Sequence, residues 1–340
     1  VTGLSNGTGY TFTVVASTSY GVTGPASSAS SSVTPAAAVA RGVFAGGNTT
    51  WTVRNTIDYI TIQTEGDATS FGSLTVARDG IYGFGSSSRG IFNGNGGSGT
   101  NIYDYITFST TGNATSFGTM NLTVGARSSC NSDTRGVTAG GIYEDESRSN
   151  AIEYVTIATT GNGINFGALT QARYATASFS SSTRGIWTGG NYNATSSNGP
   201  VATTDYVTIA STGNATSFGS LVQPADSPSA ASNATRGIIG AGIKPGSSLT
   251  DRIEYFTIAT TGNGTSFGNL DGGHRYGAAV ADTTRWVMAT GLYTQGGQYL
   301  FTANMQYVTI ATTGNATNFG GLTQGRWVLG GASSRNGGVQ

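Results

Sequence analysis

The chain has 340 residues, 9% of them charged, with 16 basic and 16 acidic side chains and no formal net charge. That balance excludes a nucleic-acid surface, which needs clustered Lys and Arg, and no run of 18 apolar residues exists to span a membrane. An aromatic content of 10% with many β-branched runs excludes disorder despite 54 glycines.

Length alone suggests about two domains, and residues 1–34 read differently from the rest. Leu4-Ser5-Asn6-Gly7 offers an Asn-Gly turn before the alternating stretch Tyr10–Ala16, and a second strand-like stretch ends at Val33-Thr34. These residues resemble the last three strands of a fibronectin type III domain, with Tyr10 in the place of its corner tyrosine. The resemblance implies a partial β-sandwich, about a third of such a module, and so a chain that continues a longer polypeptide; Val1 is not a methionine. Residues 35–40 (PAAAVA) read as a linker.

From Arg41 to the end the sequence repeats. Six tyrosines are each followed twelve residues later by phenylalanine: Tyr59/Phe71, Tyr105/Phe117, Tyr154/Phe166, Tyr206/Phe218, Tyr255/Phe267 and Tyr307/Phe319. A fixed period near 50 residues in β-rich sequence marks a propeller or a related array. Each unit offers four strands separated by Ser, Thr and Gly clusters. In the third unit these are Arg135–Gly141, Tyr154–Ala158, Asn165–Leu169 and Arg173–Phe179. The twelve recurrent aromatics are expected to fill the seams between units, where burying each contributes roughly 1.5–3 kcal/mol.

The order strand, Gly-Gly, strand with a hydroxyl-rich turn, aromatic, leucine, arginine resembles the kelch motif over residues 41–340, with Phe71, Phe117, Phe166, Phe218, Phe267 and Phe319 in the kelch tryptophan position. Repeats reading YVTIATTGNATSFG are similar to those in tail and other structural proteins of tailed bacteriophages, often beside fibronectin-like domains. The resemblance implies an all-β fold, a six-bladed kelch-like β-propeller over 41–340. It also implies a virion-surface or extracellular setting, with other virion or appendage proteins, or further copies of the chain, as partners.

Closure follows from two orphan pieces. The first unit lacks an inner strand unless 36–40 supply one, and Trp327–Ala332 forms an inner strand with no outer strands after it. The C-terminal strand is therefore expected to complete the unit of residues 41–77, since closing the ring removes exposed sheet edges.

Length varies in one place. Phenylalanine to the next arginine is 18 residues in five units, whereas that arginine to the next tyrosine spans 18, 16, 19, 22, 19 and 22 residues. The varying connection joins the second and third strands and emerges on one face, the expected binding face. It carries Trp51, Tyr143, Tyr192, Tyr293, Tyr299 and Phe301 among Asn, Ser, Thr and Gly. Aromatic planes beside amides and hydroxyls suit sugar rings. The alternative is that these loops are spacers whose aromatics tuck onto the disc.

Two arginine series recur. Arg41, Arg89, Arg135, Arg184, Arg236 and Arg285 open the second strands; Arg78, Arg127, Arg173, Arg275 and Arg326 precede the inner strands. Asp58, Asp104, Glu153, Asp205 and Glu254 precede the recurrent tyrosines. The second series and the carboxylates are expected to share the variable face, either as ion pairs worth about 0–1 kcal/mol if exposed or as a ring of free arginines for anionic glycans. The pattern breaks at Asp226, near a missing arginine, and at Gln306, which replaces an acid; an unpaired functional charge is expected there.

Other sites are weaker. Asn6, Asn48, Asn113, Asn121, Asn193, Asn214, Asn233, Asn263 and Asn315 match N-x-[ST], several in turns that form for backbone reasons. Glu144-Asp145-Glu146 reads as solvated charge rather than a calcium loop. The Gly94–Gly99 stretch opens no helix and is no phosphate loop. His274 and Cys130 are the only residues of their kinds. No metal, cofactor or catalytic group is therefore expected. The function expected is non-enzymatic attachment to a host-surface glycan by a phage tail fibre or similar appendage; the alternatives are virion decoration and a secreted bacterial adhesin.

Overall fold

The structure, a computed structural model, describes residues 8–34, 39–50, 52–94, 101–193, 199–296 and 298–334. The chain divides into two compact units, Val1–Val39 and Ala40–Gln340.

The first unit is an antiparallel ribbon. Tyr10 and Val33 exchange backbone hydrogen bonds, Ser30 N–H donates to Phe12 O, and Ser27 N–H to Val14 O. Pairing occurs only as the isolated bridges Tyr10–Val33 and Ser17–Thr23. Val14, Val15, Tyr20, Val22 and Val33 are exposed.

The second unit is a ring of antiparallel sheets, named A to F here. Sheet A orders Gly330–Ser333, Arg41–Ala45, Thr56–Thr61 and Thr69–Ser73. Sheet B holds Ile81–Gly85, Arg89–Gly94, Ile102–Thr107 and Thr115–Thr119; sheet C holds Ser128–Asn131, Arg135–Ala139, Ala151–Thr156 and Ile164–Ala168. Sheet D holds Ala177–Ser180, Arg184–Thr188, Thr203–Thr208 and Thr216–Ser220; sheet F holds Ala278–Ala281, Arg285–Ala289, Asn304–Thr309 and Thr317–Gly321. Sheet E has seven strands. Its first four, Ser229–Ser232, Arg236–Gly240, Ser248–Thr257 and Thr265–Arg275, repeat the same order. Leu292–Gln295 and Gln298–Phe301 extend it, and Ile243–Lys244 pairs beside Ser248–Thr257.

The C-terminal strand does complete sheet A: Gly42 pairs with Ser333 and Ala45 with Gly330. The paired segment is Gly330–Ser333 rather than Trp327–Ala332, because Val328 takes a left-handed φ of 57° and turns the chain before the strand begins. Ala40 lies inside the ring, its carbonyl accepting from Ile62 N–H.

Each seam is built on one backbone irregularity. In all six sheets the register between third and fourth strands slips at the same place: Ile57 faces Gly72 but Asp58 faces Ser70, and the other five sheets do likewise. The residue left over is the recurrent phenylalanine. A β-bulge re-aims its side chain and frees its carbonyl from the ladder. That carbonyl then accepts the N–H of the turn glycine of the next sheet: Gly112 to Phe71, Gly161 to Phe117, Gly213 to Phe166, Gly262 to Phe218, Gly314 to Phe267 and, closing the ring, Gly66 to Phe319, all at 2.8–2.9 Å. The neighbouring Asn113, Asn162, Asn214, Asn263, Asn315 and Asp67 each accept a second N–H through the side-chain oxygen.

Side chains complete the seam. Each phenylalanine is buried and meets its tyrosine edge-on, with ring centroids 5.6–6.0 Å apart. The tyrosines are half-buried. Over each tyrosine lies the arginine that opens the second strand, 4.2–5.0 Å from the centroid. That arginine reaches on to carbonyls of the next sheet, as Arg184 does to Ile258 and Ala259 at 3.0 and 2.8 Å. Apolar clusters span the seams, for example Phe71 and Leu74 of sheet A with Phe92 and Phe108 of sheet B.

Arg184→Ala removes a cation–π contact and two charge-assisted hydrogen bonds, so urea unfolding should show a loss of about 2 kcal/mol. Arg184→Lys should recover only part of it, because a single ammonium lacks the planar fork.

Candidate functional site

The antiparallel order puts the connections between second and third strands at the same end of every sheet as those leading to the next inner strand. The two sets touch in several sheets: Asn48 bridges Trp327, Tyr174 bridges Asn191, and Asp226 bridges Ile243. The turns bearing Gly112 and its equivalents lie at the opposite end.

Between the inner strands at the axis lies a cavity of about 60 Å³, lined by small residues such as Ser129, Ser178, Ala230 and Gly331. Ligand pockets run to roughly 300–1,000 Å³, so the axis has room for a few waters and attention moves to the rim.

Three of the six rim aromatics share one hairpin, and Tyr143 and Tyr192 lie in the connections of other sheets. Trp51 lies outside the described residues. Tyr143 is half-buried in a turn closed by Tyr143 N–H to Ser147 O. Tyr192 is 48% exposed beside Asn191, whose amide donates to Asp226 at 3.0 Å. Tyr293, Tyr299 and Phe301 come together on the added hairpin of sheet E, where Thr294 pairs with Tyr299. Tyr299 is 54% exposed, and Leu300 and Phe301 are exposed with it. The acidic tip is exposed, and Asp145 accepts both N–H and O–H of Ser147, which hold its carboxyl below the usual carboxylate value.

Four of the five arginines that precede the inner strands, Arg78, Arg127, Arg173 and Arg326, form the expected ion pairs with the carboxylates, but buried rather than exposed, which overturns the ring of free arginines. Arg78–Asp104, Arg173–Asp205 and Arg326–Asp58 are ion pairs at 2.8 Å with both side chains fully buried. The bulge between strands three and four turns each carboxylate into the seam. A threonine hydroxyl completes each trio: Thr75 on Asp104, Thr170 on Asp205 and Thr323 on Asp58. Burial pulls the Arg173 and Arg326 guanidinium groups down from their usual range, and the paired carboxylate opposes it. At the seam between sheets B and C, Arg127 pairs with Glu153 at 3.0 Å while Tyr103 donates its hydroxyl to the same carboxylate. Burial and that neighbouring charge push the Tyr103 hydroxyl up.

Two seams depart from the pattern. Between sheets D and E the arginine position holds Ala225, and Glu254 takes backbone N–H groups of Val222 and Gln223, with Arg252 at 3.5 Å. Burial raises the Glu254 carboxyl. Asp226 is also buried and raised, and among the described residues its carboxylate accepts from Asn191 and Ser227. Between sheets E and F the residue seven after the bulged phenylalanine is His274, where Phe71, Phe166 and Phe319 are followed by Arg78, Arg173 and Arg326. Arg275 is not part of the buried series: it lies over Tyr276 and Tyr299 at 4.7 and 4.4 Å. Counting from the phenylalanine, rather than back from the inner strand, would have singled out His274.

The result is a cleft of about 230 Å³ against the added hairpin, lined by Asp271, His274, Tyr293, Thr294, Thr302 and Asn304 among others. Asp271 accepts from His274 Nε2 at 2.9 Å and from the Gln306 amide. Cys130 is buried, and burial pushes its thiol up, so it takes no part. Among the described residues no cluster of three or more His, Cys, Asp or Glu could hold a metal ion.

No family model matches the chain, and no curated protein matches it. Among solved structures, the β-propeller titled "Structure of YjhT" superimposes with a TM-score of 0.64, covering 76% of this chain and 88% of that one at 10% identity. The likeness is one of fold, and with the closed ring of sheets it defines the class: the chain contains a β-propeller.

Asp205→Ala should strand a buried guanidinium and cost about 3–5 kcal/mol in chemical denaturation, whereas Arg173→Met with Asp205→Leu together should cost far less. Because the Asp226 carboxyl is raised in the folded state, the native chain holds that proton more tightly than the unfolded one. Its penalty therefore appears as pH climbs from the ordinary Asp value through the raised one. Asp226→Asn should raise the melting temperature at pH 7 and leave it unchanged near pH 3.

Proposed function

We propose that this chain is a non-enzymatic attachment protein of a virion appendage, similar to a phage tail fibre, whose six-bladed, kelch-like propeller offers its variable rim to a host-surface glycan. Sheet E, with its extra hairpin, counts as the sixth blade in this reading, and the ribbon of residues 10–33 as a piece of a fibronectin type III-like module. The virion-surface or extracellular setting rests on the resemblance of the YVTIATTGNATSFG repeats.

The observation that carries the reading is the contrast between the two ends of the ring. The turns bearing Gly112 and its equivalents are fixed by docking onto the preceding sheet, so they tolerate little change. The opposite rim varies in length and exposes Tyr192, Tyr299, Leu300 and Phe301. Variable loops on a rigid scaffold are where recognition concentrates. Glycan contact favours aromatic planes among hydroxyls and amides, which this rim supplies. The absence of enzymatic activity is supported by a sequence with one histidine and one cysteine and by acids placed in structural trios.

A second reading, a decoration or scaffold protein of the virion, is favoured by the exposed apolar edge strand Gln298–Phe301, which fits a protein neighbour. A secreted adhesin would use the same rim. Glycan-array binding and adsorption to host cells test the choice. Wild type should bind, and Trp51→Ala, Tyr192→Ala and Tyr299→Ala together should weaken binding at least tenfold without lowering the melting temperature. No glycan binding, or turnover of a polysaccharide, would contradict the proposal.

A further inference from the structure

We propose that the cleft formed by Asp271, His274, Tyr293, Thr294, Thr302 and Asn304 is the recognition subsite for one neutral sugar residue. This deepens the attachment reading and rests on it.

Three regular seams place threonine, aspartate and arginine in a closed, buried trio. At the seam between sheets E and F all three positions change together. Asp271 stands where Thr75, Thr170 and Thr323 stand, Gln306 where the acids stand, and His274 where the arginines stand. The hydrogen bonding inverts accordingly. The threonines donate to a buried carboxylate, whereas here buried Gln306 donates its amide to Asp271 and accepts from the Asp271 N–H through Oε1 at 3.0 Å. The carboxylate has thus moved from the sealed interior to the rim, where its side chain is 58% exposed. The shorter His274 ring leaves space that an arginine would fill.

Sheet E is also the only one, among the described residues, in which the fourth strand runs eleven residues, Thr265–Arg275. That extension pairs His274 with Tyr293 and Arg275 with Leu292, and so raises a wall beside the vacated space. The His274 and Tyr293 rings stand 6.1 Å apart at 58°.

The chemistry of the walls selects the ligand. Asp271 Oδ1 is held by His274 and Gln306, while among the described residues Oδ2 accepts from Asn304 alone, at 3.4 Å, and keeps accepting capacity toward the opening. A carboxylate and an amide suit vicinal hydroxyls, and the Tyr293 ring suits the C–H face of a pyranose. An anionic sugar would meet the Asp271 charge without a nearby guanidinium, because Arg275 is held over Tyr276 and Tyr299. The volume suits one ring rather than a chain.

The test uses ligand-observed NMR and calorimetry with the whole chain. The neutral probes are methyl galactopyranoside, methyl glucopyranoside and methyl mannopyranoside; N-acetylneuraminic acid and glucuronic acid are the acidic comparators. At least one neutral glycoside should bind, and Asp271→Ala and Tyr293→Ala should each weaken it about tenfold or more. A triple variant, Asp271→Thr, His274→Arg and Gln306→Asp, rebuilds the regular trio; it should melt no lower than wild type and lose the sugar. Glycan binding that survives the triple variant overturns the cleft alone and leaves the attachment reading standing. Preference for the acidic sugars overturns the neutral assignment. Failure of wild type to bind any glycan on the array overturns both.

Discussion

The ring rests on a hydrogen bond that an ordinary β-ladder would not permit. A phenylalanine in a regular fourth strand would give its carbonyl to its own sheet. Here the bulge withdraws it, and the turn glycine of the next sheet takes it at every seam, including the one between the last sheet and the first. The glycine after each phenylalanine follows from that approach: a Cβ at Gly72, Gly118, Gly167, Gly219, Gly268 or Gly320 would overlap the carbonyl of the neighbouring turn. Backbone contact of this kind fixes the spacing of the sheets before side chains meet.

Side chains then distribute charge inward. One arginine per sheet lies over a tyrosine and ties the next sheet's carbonyls; another set, with aspartate and threonine, seals three of the six seams near the variable rim. Such buried pairs are weak evidence for stability on their own, but breaking one partner is costly. They hold a large part of the chain's few charges inside the seams. Where the trio fails, at Ala225 and at His274, the structure gains space instead, and the seam at His274 opens to solvent as the cleft beside the added hairpin.

Much of this architecture was legible in the sequence because the seam repeats and the chain does not vary it. Tyr59 and Phe71, and the five pairs after them, announce the period, and the unmatched ends announce the pairing of Gly330–Ser333 with Arg41–Ala45. The bulge was not legible. Phe71 reads as an ordinary apolar strand residue, since a register slip is set by the partner strand and not by its own sequence. The asparagines of the TGN turns read as turn formers, and their role as acceptors for the preceding sheet depends on a contact some 40 residues away. Burial of Arg78, Arg173 and Arg326 was missed because local sequence shows the charge and not the fold of the neighbouring acid. Arg127 lies ten residues after Phe117 and Arg275 eight after Phe267, so a single series hid two different environments. Of the candidate rim residues, Tyr293, Tyr299 and Phe301 proved to share one hairpin, which their spacing alone did not reveal.

Two glycines at neighbouring seams, one on each side of sheet D, test the central contact most directly. Gly219 follows a bulged phenylalanine, and its added Cβ would meet the Gly262 carbonyl; Gly213 lies in a docking turn with open space around it. Urea unfolding should show Gly219→Ala destabilised by about 2 kcal/mol or more and Gly213→Ala by about 1 kcal/mol or less. Equal effects, or a neutral Gly219→Ala, would contradict the account that close backbone docking at the bulge holds the ring together.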